Sequence, residues 1–104
     1  MRTELCLLAL LVPVASLAAE PSAADKNKAK VEYQKGQKAY DLGDFKTALD
    51  GYSEAYRLDA RPPFLFNIAQ CHRQLNNHER AAFFFQRFLS YYPPGKAPND
   101  KLAH

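Results

Sequence analysis

Few residues in this chain have the types and spacing that covalent chemistry demands. Cys71 and His72 come first, because a thiol beside an imidazole could form part of a zinc site or an activated nucleophile. Adjacent positions on a helix point about 100° apart, so the two cannot both face one ion. His78 lies in the next turn and His104 in the tail, which leaves zinc without the three or four converging ligands it needs. His72 is expected instead inside a helical hairpin, with Cys71 as a small, semi-buried apolar residue. No nucleophile–base–orienter set, paired-carboxylate motif or phosphate-binding glycine loop occurs. The residues therefore imply no enzyme, no metal and no cofactor. What remains is a periodic array of aromatic rings and side-chain amides, which suits binding.

The elements that must position these groups read as four helices. After a flexible lead-in over residues 20–28, rich in Ala, Lys and Ser, a first helix is expected from about Lys26 to Asp41. It stops at Gly43, whose missing Cβ permits a left-handed turn. Asp44 can cap a second helix by accepting from the free amides of its first turn. Phe45, Ala48, Leu49, Tyr52, Ala55 and Tyr56 then follow helical spacing and form an apolar stripe that needs a neighbour. Pro62-Pro63 opens a third helix to about Leu75, since proline is tolerated in a first helical turn and not beyond. Leu65, Ile68, Ala69 and His72 share one of its faces. Asn76-Asn77 supplies the next turn. A fourth helix runs to about Tyr91 and is closed by Pro93-Pro94-Gly95.

An internal repeat organises these helices. Gly36, Leu42, Ala48 and Tyr52 are answered 33 residues later by Ala69, Leu75, Ala81 and Phe85. A period in the low thirties with small residues at fixed offsets marks stacked helical hairpins, the small residues sitting where two helices cross closely. Gly36, Gly43-Asp44-Phe45, Ala48, Tyr52, Ala55 and Leu58 resemble the tetratricopeptide repeat in identity and spacing. Ala69, Ala81 and Phe85 do so in the second copy, where Asn76-Asn77-His78 replaces the family's Gly-Asp-Tyr. The resemblance covers about Ala29 to Pro93. It implies an all-α fold of two tetratricopeptide-like antiparallel helical hairpins, a short α-solenoid, with repeats at 29–61 and 62–93 and a tail at 94–104.

The same resemblance implies a binding face lined by the first helix of each hairpin. That face would hold Tyr33, Gln37 and Tyr40 from the first repeat, and Phe66, Asn67, Gln70 and Arg73 from the second. Rings would anchor an extended protein or peptide partner while amides satisfy its backbone. The family's carboxylate clamp is not expected: Asn67 suits one position, but Gln37 stands where Asn is usual, and Tyr33 replaces a lysine. Glu32 and Lys35 depart from the family's apolar pattern, and their spacing permits an exposed ion pair. Phe88 replaces a small residue late in the last helix, which demands repacking around it. With Phe84, Tyr91 and Tyr92 it forms a second candidate, an uncovered aromatic end for docking or self-association.

Arg2, the apolar run Leu5–Val14 and the small residues Ser16, Ala18 and Ala19 have the layout of a secretory signal peptide over residues 1–19, cleaved near Ala18 or Ala19. A periplasmic or secreted location follows, and with the repeats it resembles short exported tetratricopeptide proteins of Gram-negative bacteria. Membrane attachment would require that the signal segment be retained as an anchor. Cleavage removes Cys6, leaves Cys71 alone, and precludes an internal disulfide. The net charge of +3 is mild and interspersed, which argues against nucleic acid. The reading is an exported interaction or assembly adaptor. The competing one is a structural N-terminal fragment of a longer array, the tail leading into a further helix.

Overall fold

A computed structural model describes residues 20–98; the segment expected to be a signal peptide, with Cys6, and the end of the tail with His104, lie outside the described residues. Helix α1 spans Ala23–Asp41, α2 Phe45–Leu58, α3 Pro62–Gln74 and α4 His78–Leu89, and no strand occurs among the described residues. Consecutive helices pack on one another. The fold is all-α, as the periodicity predicts.

Two boundaries depart from the sequence reading. The lead-in is helical from Ala23 onward, because the Ser22 Oγ accepts the Asp25 amide at 3.0 Å and caps α1. Such a cap stabilises a helix by about 1 kcal/mol. Ala29, one turn further along, is buried with Ala55 and Phe64, so this end of α1 also has tertiary packing. Helix α4 ends at Leu89, two residues before Tyr91. The Ser90 hydroxyl donates to the Arg87 carbonyl at 2.7 Å, and the chain turns there.

The two hairpin turns share a left-handed residue at the same place and the same closing backbone bond. Gly43 has φ +79°, and the Asp44 amide donates back to the Ala39 carbonyl at 2.9 Å. In the second turn Asn76 takes φ +62°, and the Asn77 amide donates to the His72 carbonyl at 2.8 Å. Asn tolerates the left-handed region because its short amide can bond locally, so Asn76 does the work of Gly43. Asp44 caps α2 by accepting the Thr47 amide at 3.2 Å.

Close approach of α1 and α2 depends on two glycines. A Cβ on Gly36 would lie 3.0 Å from the Tyr52 ring and 3.2 Å from the Ala48 carbonyl. One on Gly51 would lie 2.9 Å from the Glu32 carbonyl and from the Gly36 backbone. Tyr52 and Ala48 thus meet Gly36, whereas Ala55 packs near Ala29: the partners run in opposite order and the hairpin is antiparallel. The second hairpin follows the same rule, with His72 on Phe84 and Phe66 on Phe85 and Phe88. Between the hairpins, Tyr52 packs with Ile68 and Cys71, and Ala55 with Phe64. Helices α1 and α3 therefore run parallel, side by side, with Tyr33 opposite Phe64 and Tyr40 opposite Gln74.

Candidate interaction surface

The space between α1 and α3 is a groove with two cavities that share Asn67. The smaller, of about 220 Å³, is lined by Gln37, Tyr40, Asp41, Tyr52, Phe66, Asn67 and Gln70. Five sequence-predicted groove residues, Gln37, Tyr40, Phe66, Asn67 and Gln70, are thus brought together from two helices. The Gln74 amide donates to the Tyr40 hydroxyl at 3.3 Å and ties α3 to α1 along this wall. The Tyr40 ring meets Phe45 edge-on at 5.0 Å, which fixes its orientation. Gln70 Oε1 is buried and accepts no hydrogen bond, leaving an acceptor in the groove wall unsatisfied. Burial pushes the Tyr52 phenol well above its ordinary range, so it stays a neutral donor at the cavity floor.

The larger cavity, of about 620 Å³, lies towards the start of both helices. Lys26, Asn27, Lys30, Gln34, Asp59, Arg61 and Asn67 surround a floor of Ala29, Tyr33, Pro63 and Phe64. The Arg61 guanidinium stands 5.9 Å from the centre of the Phe64 ring, over its face. Sequence reasoning missed this end. The signal on α1 is present, since Lys26, Lys30, Tyr33 and Gln37 follow one another at helical spacing within the expected helix, but Arg61 joins them only through the packing of α3 beside α1.

Two predicted groove residues are placed differently. Tyr33 lies between Tyr52 and Phe64, at 5.6 and 5.4 Å between ring centres, and is a packing residue of the junction between hairpins as well as a cavity wall. Arg73 is exposed and lines neither groove cavity.

The aromatic end is corrected. Phe88 is 2 % exposed, held between Phe66 at 5.4 Å and Tyr92 at 5.1 Å, so it cannot serve as an exposed docking residue. The repacking required by its size is met by these rings. Phe84 turns inward and stacks on His72 at 5.5 Å with an interplanar angle of 5°, and Arg80 lies 5.0 Å above the same ring. Tyr92 is half-buried and Tyr91 is 50 % exposed. The rings and chains left open on α4 are Phe83 at 48 % and Leu89 at 37 %. Six residues apart, they leave the helix about 120° from each other and form no single stripe.

Cys71 is fully buried between the hairpins rather than semi-buried, and desolvation pushes its thiol up to about 12. His72 is buried; desolvation and then the Arg80 charge hold its imidazole below the usual range. Its Nδ1 has no partner. Among the described residues no cluster of three metal-ligating side chains occurs, and no helix is long and apolar enough to cross a membrane.

This geometry of hairpins and groove agrees with comparison against known families, in which residues 64–94 match the tetratricopeptide repeat. That segment is similar to a tetratricopeptide repeat. It contains α3 from its third residue, the Asn76 turn and all of α4. Repeats of this family are protein–protein interaction scaffolds and generally not enzymes. No curated protein and no solved structure matches the chain.

Proposed function

We propose that the chain is an exported protein-interaction or assembly adaptor that receives an extended segment of a protein partner in the groove between α1 and α3. The observation that carries this reading is the convergence of Gln37, Tyr40, Phe66, Asn67 and Gln70 on one cavity. Side-chain amides from both helices there can donate and accept, as a peptide backbone requires. The rings supply apolar area on the same wall. Export rests on the layout of residues 1–19. Its check is the N-terminal sequence of the mature protein, which should begin at Ala19 or Glu20.

A photo-crosslinking amino acid placed at Gln37 or at Asn67 should capture the same partner in the native cell, and one placed at Lys46 on the exposed side of α2 should not. Equal capture from Lys46, or none from the two groove positions, would remove the groove reading. A second reading is favoured by the exposed Phe83 and Leu89 on α4. As the last helix of the two hairpins, α4 is where another hairpin would stack in a longer array, or a second copy would associate. A melting temperature that rises with protein concentration would support association through that end.

A further inference from the structure

The larger cavity differs from the rest of the groove in charge. Lys26 and Lys30 reach it from successive turns of α1, and Arg61 reaches it from the opposite side. Among the described residues the ion pairs are Lys35–Glu32 and Arg57–Glu54, so none of the three cavity cations is neutralised by a salt bridge. Asp59 is the one carboxylate in the lining, and Glu20 joins Lys26, Asp59 and Arg61 around a neighbouring recess. With Glu20 counted, three cations face two carboxylates, which leaves this end positive by one charge. The other end carries Asp41 and no cation. The groove is therefore polarised along its length, and an anionic segment is favoured at one end and disfavoured at the other.

We infer that the larger cavity takes an acidic stretch of the partner protein, its carboxylates set against Lys26, Lys30 and Arg61 and an apolar side chain laid on Tyr33 and Phe64. This rests on the groove reading above and adds the chemistry of the ligand. The ring of Phe64 holds the Arg61 guanidinium at the cavity wall, where its planar donors match a carboxylate. Asn67, shared by both cavities, continues the polar contact into the amide-lined part of the groove. The cations are exposed but stand around a cavity between two helices with an aromatic floor, whereas a membrane surface is met by an open cationic face with protruding apolar residues. The acidic residues of the segment should cluster at the end that lies by the start of α1, because Asp41 repels them at the other.

The test uses three fluorescent peptides of one length and one content of Tyr, Pro and Ala, all amidated, whose variable positions carry Glu, Gln or Lys. Anisotropy with the purified protein should rank them Glu over Gln over Lys. The double variant Lys26→Glu/Lys30→Glu should reduce the preference for Glu over Gln by about tenfold, each exposed charge pair contributing a few-fold. Glutamates near the start of a helix oppose no dipole, so the variant should fold, as circular dichroism will verify. Lys46→Glu reverses one charge, half the change made by the double variant, away from the cavity and should leave the preference intact. Equal binding of the Glu and Gln peptides, no binding of either, survival of the preference in the double variant, or its loss in Lys46→Glu would each overturn the inference. Binding to phosphatidylglycerol vesicles that the double variant loses, without binding to the Glu peptide, would overturn it in favour of a membrane surface. Crosslinking from Gln37 and Asn67 judges the groove separately: capture there without an acidic preference removes only this inference.

Discussion

Gly51→Ala is the sharpest test of how the first hairpin is built. On an exposed helix surface this change would stabilise, because alanine is favoured over glycine by about 1 kcal/mol in a helix interior. Here the added Cβ would stand 2.9 Å from the Glu32 carbonyl oxygen, the Gly36 Cα and the Gly36 amide nitrogen. All three are backbone atoms of α1, and none can rotate away. Relief requires α1 and α2 to separate by roughly 0.5–1 Å, a gap that already forfeits a quarter to a half of the dispersion at each facing atom pair. Overpacking costs about 1–3 kcal/mol, and a clash confined to backbone belongs at the upper end. Subtracting the gain in propensity leaves a net loss of about 2 kcal/mol. For a chain of this size that lowers the melting temperature by about 8–16 °C. Urea and thermal melts beside Asp50→Ala, an exposed neighbour on the same helix, would read it. If Gly51→Ala is as stable as the unaltered protein, the two helices do not meet at this point and the packing described for the first hairpin is wrong.

Tyr33→Ala should destabilise by about 2 kcal/mol, because the ring joins Tyr52 to Phe64 across the hairpins; Tyr33→Phe should not, and equal melts for the two would refute a packing role. Cys71 should resist thiol reagents at pH 8 in the folded protein and react at once in denaturant, since its thiol is buried and pushed up to about 12. Stability should fall as pH drops below the ordinary histidine value of 6.5, because His72 is held neutral in the folded state while the unfolded chain takes up the proton. That contribution is full above pH 6.5 and is lost towards the lower folded value; His72→Gln should flatten the slope in melts between pH 7.5 and 5.

The four helices, both hairpin turns and the capping of α2 were legible because each rests on local chemistry: apolar spacing, a residue able to take positive φ, and a side chain beside free amides. The Lys35–Glu32 pair was legible for the same reason, and forms at 3.3 Å. The start of α1 was misread because Ser22 as a cap gains its value only if the helix it begins is also packed, and Ala29 finds its partners on α2 and α3. Gly51 was passed over, since nothing within α2 distinguishes a glycine that admits a neighbouring backbone from one that merely weakens a helix.

The sequence by itself thus determined that the chain forms two helical hairpins, and that Gln37, Tyr40, Phe66, Asn67 and Gln70 face the space between α1 and α3, because helical spacing is a property of the chain alone. Tertiary structure decided what each ring does. Tyr33 and Phe66 are drawn into packing between helices, Phe84 and Phe88 turn inward to His72 and Phe66, and Phe83 stays open. Three consecutive phenylalanines point in three directions whatever the fold, and only the position of α3 determines which of them are covered. The same holds for charge. Arg61 lies far from Lys26 and Lys30 in sequence, and a cationic cavity exists because α3 begins beside the first turns of α1.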